Sequence, residues 1–167
     1  MKKKILFALV ILFIGIQFIR PAKNQSADAM VNDISTVYNK PNEVSAIMDK
    51  ACNDCHSNNT VYPWYAQVQP VAWWLNDHIV EGKDELNFNE FATYSIARQY
   101  KKLEEIAEEV KEDEMPLYSY TIIHTNAKLS TAEKLTLTNW CNNLRDSIKA
   151  NYPADSLIIK RPPQREK

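Results

Sequence analysis

Hydrophobic positions along this chain fall into one unbroken run followed by four periodic stretches. The run, Ile5 to Ile19, is preceded by Lys2-Lys3-Lys4 and closed by Arg20-Pro21, the charged flank and apolar segment of an export signal or an N-terminal hydrophobic helix. In the first periodic stretch Asn42 is placed to cap a short helix whose stripe is Val44, Ile47, Met48 and Ala51, spaced at helical intervals. Pro70 opens a second helix with Val71, Trp74, Leu75 and His78 on one face, Asp77 and Glu81 on the other, and Gly82 at its end. Leu86, Phe88 and Phe91 belong to a loop or short turn. From Tyr94 to Lys111, Ile96, Tyr100, Leu103, Ile106 and Val110 recur at three and four, a third amphipathic helix. Ser130 and Glu133 form a capping box before Leu135, Leu137, Trp140, Cys141, Leu144 and Ile148. Stretches of β type are almost absent and there are only two glycines, so the pattern predicts an all-α fold.

The same pattern divides the chain into residues 1–21, a signal anchor or signal peptide; 22–41, a polar linker; 42–149, one helical domain; and 150–167, a loosely ordered tail with prolines and mixed charge. The 15 residues of the run reach about 22 Å as a helix, against a hydrocarbon core of about 30 Å. That length suits a cleaved signal. Against cleavage, no small-x-small site follows directly, and Ala27-Asp28-Ala29 lies well downstream. Lys4 and Arg20 can snorkel while Gln17-Phe18 extend the insertion. The balance falls to a transmembrane anchor by residues 5–19, with the lysines inside and the domain exported to the periplasmic side of the cytoplasmic membrane.

With 20 basic against 21 acidic residues the chain has no basic patch, and the balance argues against a nucleic-acid partner. The acidic stretch from Glu108 to Glu114 reads first as solvated surface and second as a docking face for a basic redox partner protein. Eight tyrosines and four tryptophans suit a core built around something large and flat, and equally suit an ordinary aromatic core.

Candidate chemistry centres on Cys52-Asn53-Asp54-Cys55-His56. This C-x-x-C-H pentapeptide is the attachment motif of a c-type haem, in which two thiols hold the macrocycle and the adjacent histidine ligates iron. A zinc site would need a second compact ligand pair, whereas His78, His124 and Cys141 are isolated. A thioredoxin-type pair would follow a strand, and a plain disulfide needs nothing else. Haem c attachment takes place outside the cytoplasmic membrane, so an export segment ahead of the motif agrees with the haem reading. One covalent haem and its iron are therefore the expected cofactor.

Around that motif, Val61-Tyr62-Pro63-Trp64-Tyr65 follows closely. Trp64 and Tyr65 are candidates to pack on the macrocycle or to bond a propionate. A carbonyl near Pro63 is a candidate to hold the His56 ring through Nδ1. For the sixth iron position, Met115 stands 59 residues after His56 on a segment that Pro116 keeps out of helical geometry. His78 is the alternative and His124 a third choice. Cys141, on a helix face, reads as an inert buried thiol.

From Gln17-Phe18-Ile19-Arg20-Pro21 through C-N-D-C-H-S-N-N, Y-P-W-Y, P-V-A-W-W, E-G-K, E-M-P-L-x-S-Y and L-S-T-A-E-K to Asn139-Trp140, the chain resembles the bacterial haem-binding domain proteins, a cytochrome c-like family of exported or membrane-tethered monohaem modules. The similarity runs over roughly residues 12–146. It implies a small cytochrome c-like helical domain around one covalent haem, thioether links at Cys52 and Cys55, and His56 as proximal ligand. Met115 in E-M-P-L matches what looks like the distal ligand loop. Two functions compete: electron transfer with both axial positions filled, or a peroxidase-like enzyme or sensor of diatomic gas or redox state with an open or labile sixth position. A single attachment motif with a loop methionine suits an electron carrier rather than a catalyst.

Overall fold

A computed structural model describes residues 1–159, and the regular structure among them is helical. The α-helices are α1 (Lys2–Ile16), α2 (Asn42–Ala51), α3 (Asn53–His56), α4 (Val71–Glu85), α5 (Ile96–Lys111), α6 (Tyr118–Thr121) and α7 (Thr131–Asn151), with short 3-10 turns between several of them. No strand occurs among the described residues, and an isolated antiparallel bridge joins Gln25 to Asn59. The chain separates into two units, one of residues 1–28 and 53–87, the other of residues 29–52 and 88 onward.

In the first unit α1 buries none of its residues. No helix among the described residues is long and apolar enough to cross a membrane, which corrects the expectation of a transmembrane span. The physical reason is length: α1 has 15 residues, about 22 Å, and Gln17 at its C-terminal cap turns its side chain to the backbone of Gln69. Helix α4 buries Ala72, Leu75 and Ile79, a stripe spaced at three and four on one helical face. Val71 and Trp74, expected on that face with His78, are exposed instead. Nor does Gly82 end the helix: α4 continues to Glu85, and no glycine has a positive φ.

The second unit is built on α5 packed against α7, with α2 also on α7. Helix α2 buries Val44, Ile47 and Met48 as its stripe predicts, but its N-cap is Pro41, and Asn42 is the first helical residue with no side-chain cap bond there. On α5, Leu103, Ile106 and Val110 are buried together with Ala97, Ala107 and Gln99. Gln99 is a polar group taken into the core with partners: it accepts from Tyr38 Oη at 2.6 Å and donates to the Tyr94 carbonyl at 2.8 Å, as a buried amide requires. Ser95 caps α5 by accepting from the Arg98 amide. On α7 the capping box of Ser130 and Glu133 forms in both directions. Leu137, Trp140, Cys141 and Ile148 face inward, whereas Leu135 is 59 % exposed because two residues on a helix turn through about 200°.

Residues 22–41, polar in composition, spend that polarity on the fold. Asp33 accepts from the Ser35 amide and from Asn89 Nδ2 at 2.7 Å, Asn32 accepts from the Ala92 amide, and Ile34 is fully buried. Trp140 Nε1 donates to the Asn39 carbonyl at 3.0 Å. After α7, Ala154–Leu157 forms a 3-10 turn packed on α5. The rest of the expected tail, residues 160–167, lies outside the described residues.

Candidate functional site

Helix α2 ends at Cys52, whose amide donates to the Met48 carbonyl at 2.9 Å and whose φ of −126° takes the chain out of the helix. The next four residues form α3 and carry Asp54, Cys55 and His56. A four-residue helix has almost no intrinsic stability, so its shape depends on what braces it. Asp54 supplies much of that bracing. Its carboxylate accepts from the Val61 amide at 3.0 Å, and its carbonyl accepts from Thr60 Oγ1 at 2.6 Å. Ser57 Oγ accepts from the Asn59 amide at 3.1 Å, closing the turn behind His56.

Against this turn lies α4. His56 Nδ1 is 2.9 Å from the carbonyl oxygens of both Gly82 and Leu86. Carbonyl oxygens can only accept, so Nδ1 carries the proton and Nε2 keeps its lone pair. The residues that fix the ring are thus Gly82 and Leu86, where the sequence pointed to Pro63. Gly82 serves twice over. A Cβ at this position would stand 3.0 Å from the Cys55 carbonyl oxygen, 3.2 Å from Cys55 Cβ and 3.4 Å from His56 Cε1. Only a residue without a side chain lets α4 come this close to α3.

Cys52, Cys55 and Cys141 form no disulfide. Burial, aided by the neighbouring Asp54 carboxylate, pushes the Cys55 thiol up to about 11, so it is neutral at physiological pH. Cys141 is completely buried on α7, and burial first, then the nearby Cys52, pushes it up to about 12. Such a thiol is inert.

In the unit that holds His56, Trp64 packs edge-on to Tyr65 with ring centroids 6.0 Å apart. Trp64 is 81 % exposed and Val61 77 %, an apolar surface in the segment that follows α3. Burial raises the Tyr65 phenol above its ordinary value, with Asp54 and Cys55 adding to the shift. His78 lies on α4 with Nδ1 2.9 Å from the Trp74 carbonyl and its ring 4.3 Å from the Trp74 ring. Its Nδ1 is therefore the protonated nitrogen as well.

Met115 belongs to the other unit. Helix α5 stops at Lys111, and Asp113 takes a left-handed conformation with φ 64°. The amides of Glu114 and Met115 then return to the Glu109 carbonyl at 3.0 and 3.1 Å. This is a Schellman-type ending with aspartate in the place glycine usually fills. The Asp113 carboxylate is paired with Lys134 near the start of α7, and Met115 is left half-buried on the following loop. His124 stacks on Tyr120 at 4.3 Å after α6.

Two residues of the His56 environment escaped the sequence reading. Gly82 carried a signal, since a glycine inside a helical pattern costs about 1 kcal/mol relative to alanine and marks close packing. The Leu86 carbonyl carried none, because any residue supplies one. An imidazole held through its Nδ1 beside Cys55 on a braced turn, with exposed aromatic surface in the same unit, suits a flat apolar macrocycle with a metal at its centre. A family model described as a haem-binding domain matches residues 11–143. No curated protein and no solved structure matches the chain.

Proposed function

The chain belongs to the haem-binding domain family, and on that premise we propose that it carries one haem c, joined through Cys52 and Cys55, as an electron-transfer module outside the cytoplasmic membrane. The observation that carries this reading is the His56 ring. Its Nδ1 proton is committed to the Gly82 and Leu86 carbonyls, which orients the imidazole and makes Nε2 a better donor to iron. Bound haem supplies a one-electron couple between ferrous and ferric iron.

The chain's own residues do the rest. Cys55 is a neutral thiol within a braced turn, the state in which sulfur and proton can add together across a vinyl group. Gly82 keeps α4 close enough for its carbonyl to reach His56. Trp64 and Tyr65 offer aromatic faces to the macrocycle, and Met115, released from α5 by the turn at Asp113, is the proposed second axial ligand in preference to His78. Lys2 to Lys4 and the exposed apolar α1 support export and attachment to a membrane. A redox protein is the proposed partner.

An optical spectrum of the purified protein tests this. Electron transfer predicts a six-coordinate haem c spectrum in both oxidation states that carbon monoxide and cyanide leave unchanged on mixing. Rapid binding of either ligand would replace the carrier with a peroxidase-like enzyme or a sensor.

A further inference from the structure

A cut behind Ala29 would release not only α1 but also a strap of ten residues that the first unit uses. The strap, residues 17–26, is sewn to residues 57–83 along its length. Gln17 pairs its side-chain amide with the backbone of Gln69, donating at 3.2 Å and accepting at 2.9 Å. The Ile19 carbonyl accepts from Gln69 Nε2 at 2.8 Å and from Trp73 Nε1 at 2.9 Å, and Arg20 donates to Gln67. Further on, the Asn24 amide donates to Tyr62 Oη at 2.7 Å, and the Asn24 side chain donates to the Ser57 carbonyl and to Thr60 Oγ1 while accepting from Lys83 Nζ at 2.6 Å. The Ser26 and Thr60 amides complete the seam by donating to the Asn58 and Asn24 carbonyls.

Ser57 to Thr60 is the turn immediately behind His56, so Asn24 fastens the strap to the haem motif itself. Gln69, 1 % exposed, would be left with a buried amide lacking its acceptor if the strap were removed, and such groups are costly to leave unpaired. The family match begins at residue 11, inside α1, so the strap lies within the matched domain. Helix α1, by contrast, buries nothing. Its apolar residues are exposed all round, and Lys2 to Lys4 and Arg20 flank it, the arrangement of a helix whose partner is lipid.

We propose that the N-terminal segment is retained in the mature protein, with residues 17–26 an integral strap of the haem-binding unit and α1 its attachment to a lipid bilayer. No flexible tether then separates lipid from the haem motif. This rests on the exported, membrane-attached location proposed above and not on the presence of haem.

The test is an intact mass on protein extracted from washed membranes with detergent, followed by timed trypsin digestion at Lys23. The mass should place the first residue at Met1. Breaking a few strap bonds should raise the population of the opened strap, so cleavage after Lys23 should be about tenfold or more faster in Asn24→Ala than in the native chain. Gln17→Ala, altered at the C-terminal cap of α1, should show the same direction if Asn24→Ala fails to fold. A first residue at or beyond Gln17, recovery of the full chain only in the soluble fraction, or equal cleavage in native and variant protein would each overturn the proposal. Colour is read on the same sample: a colourless, full-length, protected chain would sink the haem c reading and leave the strap standing.

Discussion

The Gly82 carbonyl oxygen accepts the Nδ1 proton of His56 at 2.9 Å, while the position of its missing side chain is taken by Cys55, 3.0 Å from where a Cβ would be. One residue therefore sets both the approach of α4 and the orientation of the proposed iron ligand.

Gly82→Ala should separate the two. The added methyl meets backbone at the Cys55 carbonyl, which cannot swing away, so α4 must shift at a cost of about 1–3 kcal/mol. The expected outcome is a lower melting temperature together with displacement of His56 from iron by acid at a higher pH than in the native protein. Thermal unfolding and an acid titration followed by absorbance measure the two effects. An unchanged acid transition would show that the Leu86 carbonyl alone suffices to hold the ring.

Thiol counting separates the three cysteines. The proposed thioether links would consume Cys52 and Cys55, and Cys141 is buried with its thiol pushed up to about 12. A thiol reagent should find no reactive group in the folded chain and one per chain after unfolding. Three per chain after unfolding would mean no thioether links.

Met115→Leu should lower the reduction potential and remove the weak charge-transfer absorption of a methionine–iron bond, since a thioether ligand raises the potential. Retention of both in the variant would transfer the axial role, with His78→Ala the next substitution to measure.

Acid should act on the second unit through Glu133. Hydrogen bonds from Lys50 and from Ser130 pull its carboxyl from an ordinary 4.5 to about 2. A depressed carboxylate contributes stability that is fully present above the ordinary value and is lost as pH falls through the depressed one. Glu133→Gln should thus be less stable at neutral pH, with the difference closing between pH 4.5 and about 2. Glu133 keeps 32 % of its side-chain surface open to solvent, so the effect should be about 1 kcal/mol or less and should shrink in high salt. Denaturant melts across that pH range measure it.

Tyr38→Phe should cost more, about 1–3 kcal/mol, because it leaves the buried Gln99 oxygen without its donor at 2.6 Å. The double variant Tyr38→Phe, Gln99→Leu should regain part of that loss by equilibrium unfolding.

The helices were legible where apolar spacing was strict. Val44, Ile47 and Met48 face the core as their three-and-four spacing demands, and Ser130 and Glu133 cap α7 reciprocally. Reading failed where one residue shifted the face. Ala72 and Ile79 are buried on α4 in place of Val71 and Trp74, and one residue along a helix is about 100° of turn. It also failed where polarity was taken for solvent exposure, as at Asn24 and Asp33, whose side chains bind backbone and side-chain partners. Of the site, the pentapeptide was plain in the sequence. What orients it was not, since the Gly82 and Leu86 carbonyls belong to the backbone and reach His56 only after α4 has packed.

Covalent haem retention on a denaturing gel reads the thioether links themselves, with native protein beside Cys52→Ala and Cys55→Ala, all produced where haem c maturation operates. Attachment through both thiols gives a haem-stained band at the chain's own mass for the native protein, weakened or lost in each variant. An unstained native band, or undiminished staining in both variants, would contradict it.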